Sequence, residues 1–225
     1  MSLVELICPR CGKGLAPRQG QVIHACASCG ASCEAVAGQG LIPVARQIVR
    51  PRIAPRSGVS LVLMPVWCIT VHRESLGEVA DRMAAEIRVP ATGIARMPLL
   101  VAAARRLTAA AAPRENWDGV EAIVDPAEID AETAFAIAES VALRHVTGWP
   151  RERDLESVQI PLGGAQLLDW PCAVEGTDLV ELVGGLSMPA ALGENIGPRD
   201  QRAALASSIK GLNLPGKFSP THASS

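Results

Sequence analysis

The sequence predicts an α+β fold in which a small N-terminal metal-binding module precedes a larger mixed domain. Two Cys-x-x-Cys-Gly units stand close together near the N-terminus and indicate the module. An apolar segment at 59–72 has the period of two residues that is typical of a strand, and segments with helical periodicity follow it. The length of 225 residues suits one ordinary domain together with a small module.

These observations divide the chain into four parts. The parts are a cysteine module at 1–40, a linker at 41–57, an α+β domain at 58–196, and a C-terminal helix with a disordered tail at 197–225. The linker is assigned because Pro43, Pro51 and Pro55 exclude a continuous helix. The end of the chain is polar and rich in small residues, which is typical of a disordered terminus.

The chemistry of the module lies in four cysteines, Cys8, Cys11, Cys26 and Cys29. Two residues between paired cysteines allow one tight turn to place both sulfurs on one ion, and zinc takes four ligands at tetrahedral corners. Gly12 and Gly30 follow the second cysteine of each pair and tolerate the positive φ of such turns. The pattern resembles the zinc-ribbon family over about residues 5–35, and the resemblance implies a zinc site on a short β-hairpin.

Alternatives to this site remain open at the level of sequence. Iron or disulfides are the alternatives to zinc, but no signal peptide precedes the cysteines, so we expect a cytoplasmic chain in which disulfides are rare. Cys33 is an alternative fourth ligand, although Gly30 favours Cys29. We expect His24 to lie on the hairpin surface and not to bind the metal.

Charge is distributed unevenly along the chain. Residues 1–56 hold seven basic and two acidic residues, whereas the remainder holds 14 basic and 21 acidic residues, so a head of +5 precedes a body of −7. This asymmetry fits nucleic acid, an acidic protein partner, or docking of the head on its own body. No apolar run reaches the roughly 18 residues that span a bilayer, so we expect no membrane partner.

Four arginines form a strip within the predicted linker, Arg46, Arg50, Arg52 and Arg56. The simplest interpretation is a solvated, extended connector. The alternative interpretation is a surface that binds an anion or a protein partner, and these four residues are our candidates for partner binding.

The α+β domain is predicted to begin with a strand at 59–72 that is apolar on both faces and therefore buried between two layers. Pro65 interrupts its hydrogen bonding and implies an edge or a bulge. Further helices are predicted at 76–87, 98–113 and 198–210. A hairpin arm is the alternative for 76–87 because of Gly77. Another helix, the third in chain order, is predicted to start at 125–126 or at 130 and to end before 148. The further predicted strands are 120–124, 155–162, 165–170 and 178–183.

Nucleophilic residues of the body do not form a recognisable catalytic set. Cys68 and Cys172 each stand beside tryptophan and proline in apolar strands, so we expect buried, inert thiols. Cys68 and His72 share a strand face but are about 13 Å apart at strand rise, too far for a nucleophile and its base. His145 falls in the last turn of the third predicted helix without an evident partner. We therefore assign no catalytic residue.

These features favour a non-enzymatic accessory or adaptor protein whose ribbon and α+β body bind a protein partner or a larger assembly. A four-thiolate zinc site is closed to water and substrate, so it builds structure and does not catalyse. The first alternative is a nucleic-acid-binding zinc-ribbon protein, which the basic head suggests, but the acidic body and the scarcity of aromatic residues disfavour it. The second alternative is an enzyme with an unrecognised site in the α+β domain.

Overall fold

The structure is a computed structural model that describes residues 6–17, 20–36, 38–92, 97–110, 114–118, 126–147, 160–190 and 199–214. It contains helices and two β-sheets, which confirms the α+β class. The strands are β1 (Ile23–Ala25), β2 (Ser32–Val36), β3 (Gly40–Val44), β4 (Arg46–Ile48), β5 (Ser60–Val71), β6 (Glu86–Pro90), β7 (Leu162–Glu175), β8 (Asp178–Glu181) and β9 (Ser187–Pro189). The helices are α1 (Met97–Ala109), α2 (Ala131–Thr147) and α3 (Arg199–Lys210), and two short 3₁₀ helices lie at Arg73–Ser75 and Gly77–Arg82.

The large sheet is built around the long antiparallel pair of β5 and β7. Its order is β6-β5-β7-β8-β9, and β4 runs parallel to β7 alongside that path. One face of β5, including Trp67 and Ile69, packs against α2. The opposite face, including Val62 and Met64, packs against α1 and the β8–β9 end of the sheet. The predicted strand at 59–72 and its burial on both faces are therefore confirmed.

Pro65 lies in the middle of β5, where the sequence predicts an edge or a bulge. Its carbonyl accepts the Ala91 N–H at 2.7 Å, at the point where β6 ends. Because proline has no N–H to return that bond, the Ala91 carbonyl instead accepts the N–H groups of Glu128 and Ile129, at 2.8 and 3.3 Å. The N–H that Pro65 lacks would have bonded just beyond the end of β6. The Ala91 carbonyl is therefore left to accept hydrogen bonds from the segment before α2.

The helix predicted at 76–87 is wrong. The segment forms short 3₁₀ turns and then β6, because Gly77 adopts a φ of +57° and the sequence around Ile87 pairs with β5. The alternative of a hairpin arm describes this region better. The third predicted helix is confirmed as α2, and its start is Asp130, whose carboxylate accepts the Thr133 N–H at 2.7 Å.

The remaining predicted elements have mixed outcomes. Helices at 98–113 and 198–210 are confirmed as the slightly shorter α1 and α3. The strand at 165–170 is part of the longer β7, and the one at 178–183 is β8. The predicted strand at 120–124, residues 155–159 of the one at 155–162, and the tail at 217–225 lie outside the described residues.

The predicted linker is not a solvated connector along its first half. β3 is the third strand of the small sheet, in the order β1-β2-β3, and β4 pairs with β7 of the large sheet. The Arg46 side chain is 3% exposed, and the Asp169 carboxylate is fully buried. Two guanidinium nitrogens of Arg46 donate hydrogen bonds to this carboxylate, one of them Nε at 3.2 Å from Oδ2. Arginine forms such forked pairs because its donors match the carboxylate oxygens. The domain boundaries themselves stay a prediction.

The small sheet also shares its core with the large one. Ile23 of β1 is fully buried in the same apolar cluster as Trp67 and α2. The N–H groups of Val22 and Ile23 both donate to the Ala127 carbonyl at 3.0 Å. The Glu34 carboxylate of β2 accepts the Ala131 N–H at the start of α2, at 3.2 Å. The basic head therefore docks on its own body, which is one of the three possibilities that the charge pattern leaves open.

We predict that Arg46→Ala destabilises the whole protein. The substitution leaves the Asp169 charge buried without its partner, which costs about 3–5 kcal/mol of unfolding free energy. Urea denaturation followed by circular dichroism measures this loss. Arg50→Ala is the matched control, since Arg50 is exposed and lies four residues away, and it should change stability by less than about 0.5 kcal/mol. Equal effects of the two substitutions would contradict the structural role of Arg46.

Candidate metal centre

Each Cys-x-x-Cys-Gly unit folds into a tight turn. The Gly12 N–H donates to the Cys8 carbonyl at 2.9 Å, and the Gly30 N–H donates to the Cys26 carbonyl at 2.8 Å. The glycines adopt φ values of +72° and +70°, a region in which side chains with a Cβ are strained. The requirement for positive φ that the sequence implies at both glycines is confirmed.

The two turns bring four cysteine sulfurs together. The Sγ atoms of Cys8, Cys11, Cys26 and Cys29 all lie within 4.8 Å of one another. The Cys8–Cys29 and Cys11–Cys26 sulfurs are 3.7 and 3.6 Å apart. Sulfurs at tetrahedral corners about 2.3 Å from a zinc ion are about 3.8 Å from one another. The donor set and its spacing therefore fit a tetrahedral metal ion, and this candidate metal centre has one exposed ligand, Cys11.

The backbone of the turns polarises these thiols. Hydrogen bonding from the Cys11 backbone lowers the pKa of the Cys8 thiol to about 6, and the Ser28 backbone likewise lowers the pKa of Cys26. The Ala31 backbone lowers the pKa of Cys29, but burial and the three neighbouring thiols outweigh it and raise that pKa to about 12. Four thiolates cannot gather without a compensating positive charge, and a bound cation supplies one.

Cys33 and His24 lie next to the centre without belonging to the group of four. They face each other across β1 and β2, and both are buried. The expected surface position of His24 is therefore wrong, because its strand partner is the buried Cys33, and the two share one face of the small sheet. Burial raises the pKa of Cys33 and lowers that of His24. Among the residues that the structure describes, the His24 Nδ1 atom has no hydrogen-bond partner.

The four arginines of the predicted strip do not form one surface. Arg46 is buried against Asp169, and Arg56 pairs with Glu175 at 3.1 Å. Arg50 and Arg52 are exposed. Two of the four candidates for partner binding are thus held by acidic residues of the body.

The body cysteines do not converge on a catalytic site. Cys68 and Cys172 are both buried, as predicted, and burial is the main cause that raises the pKa of each thiol. Cys172 pairs with Val62, six residues from Cys68 along β5, which places the two thiols about 20 Å apart along the strand. His72 is exposed, and its Nδ1 atom lies 3.2 Å from Oε1 of Glu74. The side chain of His145 is outside the described part of the chain.

A charged cluster on β6 was missed by sequence reasoning. Glu86 contacts both Arg88 and Arg114. Arg88 also lies 4.9 Å from the Trp170 ring and donates to the carbonyls of Leu107 and Ala110 at the end of α1. The alternation of opposite charges at 86 and 88 within an apolar segment was the available signal. These contacts fasten α1 to the sheet, which is a structural role.

Comparison with protein-family models, with curated proteins and with solved structures finds no match to this chain. The cysteine cluster is nevertheless compatible with a small zinc-ribbon-like module on its own geometry. Among the described residues, no helix has both the length and the apolar character that a membrane span requires.

We predict that Cys11→Ser abolishes stoichiometric metal binding, whereas Cys33→Ser retains it. Loss of one of four sulfurs leaves an incomplete tetrahedral set, and Cys33 lies outside that set. Purified wild-type protein should carry about one metal ion per chain, measured by elemental analysis and by the visible spectrum of the cobalt(II) form. Hydrogen exchange at the start of α2 should accelerate in Cys11→Ser, because β1 and β2 link the centre to that helix. Full metal content in Cys11→Ser, or loss in Cys33→Ser alone, would contradict the assignment.

We also predict an acid-sensitive contribution from Glu86. Burial raises the pKa of Glu86, but the hydrogen bonds and charges of Arg114 and Arg88 outweigh it, so the pKa falls below its usual 4.5. A carboxyl whose pKa is lower in the folded state stabilises the fold when the pH is above the pKa of the unfolded state. This contribution is lost as the pH falls through the pKa of the folded state. Glu86→Gln should therefore lower stability by about 1 kcal/mol at pH 7 and by less near pH 3. Thermal unfolding between these pH values measures the change, with the exposed Glu139→Gln as control. An equal loss at both pH values would contradict the electrostatic origin.

Proposed function

We propose that the protein is a cytoplasmic, zinc-dependent adaptor that binds a protein partner and does not catalyse a reaction. The observation that carries the proposal is the closed set of four cysteine sulfurs within 4.8 Å of one another. Bound zinc would supply a structural crosslink between the two turns. With four thiolates in place, no coordination position is open to substrate.

Zinc is the metal that best suits this donor set. Thiolate ligands in a tetrahedral arrangement are typical of structural zinc, and the sulfur separations of 3.6 and 3.7 Å agree with it. A reducing cytoplasm would keep the thiols available for the metal. Cys8, Cys11, Cys26 and Cys29 are the residues that would hold the ion.

The way the ribbon is attached supports an adaptor over a nucleic-acid-binding protein. A flexible basic head would leave all four arginines available for phosphates, but Arg46 and Arg56 pair with acidic residues of the body. The body adds further negative charge, which repels a polyanion at short range. A fixed ribbon instead presents a rigid surface together with the body, and rigid surfaces suit specific protein contacts.

The enzyme alternative has less support. Cys68 and Cys172 are buried on separate parts of the sheet, and burial raises the pKa of both thiols. A reactive cysteine needs the opposite environment, with partial exposure and a lowered pKa.

The test is quantitative capture of binding proteins by the full-length, tagged chain from extract of its own source cells under reducing conditions. One or a few proteins should be enriched on wild type at least about tenfold over the Cys11→Ser variant, since loss of the metal loosens the ribbon. Cys33→Ser is the matched control and should behave as wild type. Treatment with nucleases should leave the enrichment unchanged. Enrichment that disappears with nucleases would favour the nucleic-acid-binding alternative, and no enrichment at all would contradict the adaptor proposal.

A further inference from the structure

An open groove of about 700 Å³ lies where the segment after β4 meets the C-terminal residues that follow α3. Its lining includes Arg50, Arg52 and Ile53 from the segment after β4, Gly184 from the turn after β8, and Leu214 from the C-terminal residues. A volume of this size is within the range of ligand-binding pockets. None of the cysteines of the metal centre lines it, so it is a separate site.

The backbone of the two arginines of the groove is held by hydrogen bonds. The Arg50 N–H donates to the Glu115 carbonyl at 2.7 Å, and the Arg52 N–H donates to the Leu182 carbonyl at 2.7 Å. Pro51 between them is buried, whereas both arginines are exposed. This alternation of exposure places both side chains on the outward face.

The turn after β8, which also lines the groove, is fixed by a buried carboxylate. Glu181 is 1% exposed and accepts the N–H groups of Val183 and Gly184 at 2.9 and 2.8 Å. It also accepts the Trp170 Nε1–H at 2.8 Å, which ties the turn to the centre of the sheet. Since the arginine segment and this turn are both held by hydrogen bonds, this part of the groove is preformed and would lose little entropy on binding.

The charge of the groove selects an anionic occupant. Among the described residues no ion pair involves Arg50, in contrast to Arg56, which pairs with Glu175. Among the described residues of the lining, one is acidic, Glu115, against two arginines. A groove with a net positive charge on an acidic body attracts carboxylate or phosphate groups.

The apolar part of the lining favours a peptide over a nucleic acid. Ile53 and Leu214 are half-buried and offer surface for aliphatic side chains, and among the described residues the lining contains no aromatic ring on which a base would stack. An extended peptide turns alternate side chains to one face, as the exposed, buried, exposed order of residues 50–52 also does.

We propose that this groove binds an extended acidic segment of the protein partner, with carboxylates at alternate positions that pair with Arg50 and Arg52. The inference rests on the proposed adaptor function and names the site and the chemistry of its partner. Intervening side chains of the segment would contact Ile53 and Leu214.

The experiment measures fluorescence anisotropy of a labelled octapeptide that alternates glutamate and threonine, titrated with the full-length, metal-loaded protein. Three proteins are compared: wild type, the double variant Arg50→Gln/Arg52→Gln, and the double variant Arg105→Gln/Arg106→Gln. The last is the matched control, because it removes two exposed arginines from α1 and changes the net charge equally. Comparison ligands are the same octapeptide with glutamine for glutamate and an eight-nucleotide oligothymidylate.

We expect the acidic octapeptide to bind wild type and the α1 control alike. Binding to Arg50→Gln/Arg52→Gln should be about tenfold weaker, the expected loss for two partly exposed ion pairs. The glutamine octapeptide should bind at least about tenfold more weakly than the acidic one. Equal weakening by both double variants, no binding at about 1 mM peptide, or tighter and Arg50/Arg52-dependent binding of the oligothymidylate would each overturn the inference.

A further measurement separates this inference from the proposed function. If a protein captured by wild type is captured equally by Arg50→Gln/Arg52→Gln, the adaptor proposal stands and the groove is not its docking site. If the acidic octapeptide binds as expected and competes the captured protein away, the groove is the docking site.

Discussion

The ion pair between Arg46 and Asp169 is the contact on which the arrangement of the two sheets depends. The two residues are 123 positions apart in sequence and almost completely buried. Neither charge is tolerable there alone: burial raises the pKa of Asp169, and the Arg46 guanidinium opposes that shift. β4 contains only three residues, which is little for a parallel pairing, so the ion pair supplies the fixation that so short a strand lacks. It marks the point at which the chain leaves the small sheet and joins the large one.

The metal centre and the apolar core support each other through the strands of the small sheet. Ile23 is embedded in the main core three residues before Cys26, and Glu34 contacts the start of α2 one residue after Cys33. The ribbon has too few apolar residues for a core of its own. It is therefore stabilised by a metal crosslink and by apolar contacts with the main core. In return it covers one end of the face of the large sheet on which α2 lies. The small sheet and the large one therefore share one apolar core.

Local features were predictable from the sequence, and long-range ones were not. The cysteine turns follow from a two-residue spacing with glycine, and α2 follows from its apolar stripe and Asp130, because each depends on residues within one or two turns. The strand β4 within the predicted linker was missed because its partner lies more than a hundred residues away. The prolines of this segment exclude a helix but do not predict a strand. The helix at 76–87 failed because pairing of β6 with β5 outweighs a helical pattern that Gly77 already interrupts. The groove between Arg50 and Leu214 unites segments distant in sequence, which a pattern within one segment does not reveal.

The position of β7 near the end of the chain sets the order in which the fold can form. β5 is apolar on both faces, and its longest partner lies about a hundred residues later, as does the partner of β4. Contacts so distant in sequence form slowly, because a large loop must close before they contribute. During synthesis the cysteine turns can form at once, whereas β5 emerges well before the strand that covers it and is open to incorrect pairing in the meantime. A nascent chain of this protein would thus carry formed cysteine turns ahead of an unfinished sheet. At this stage molecular chaperones have the most apolar surface to bind.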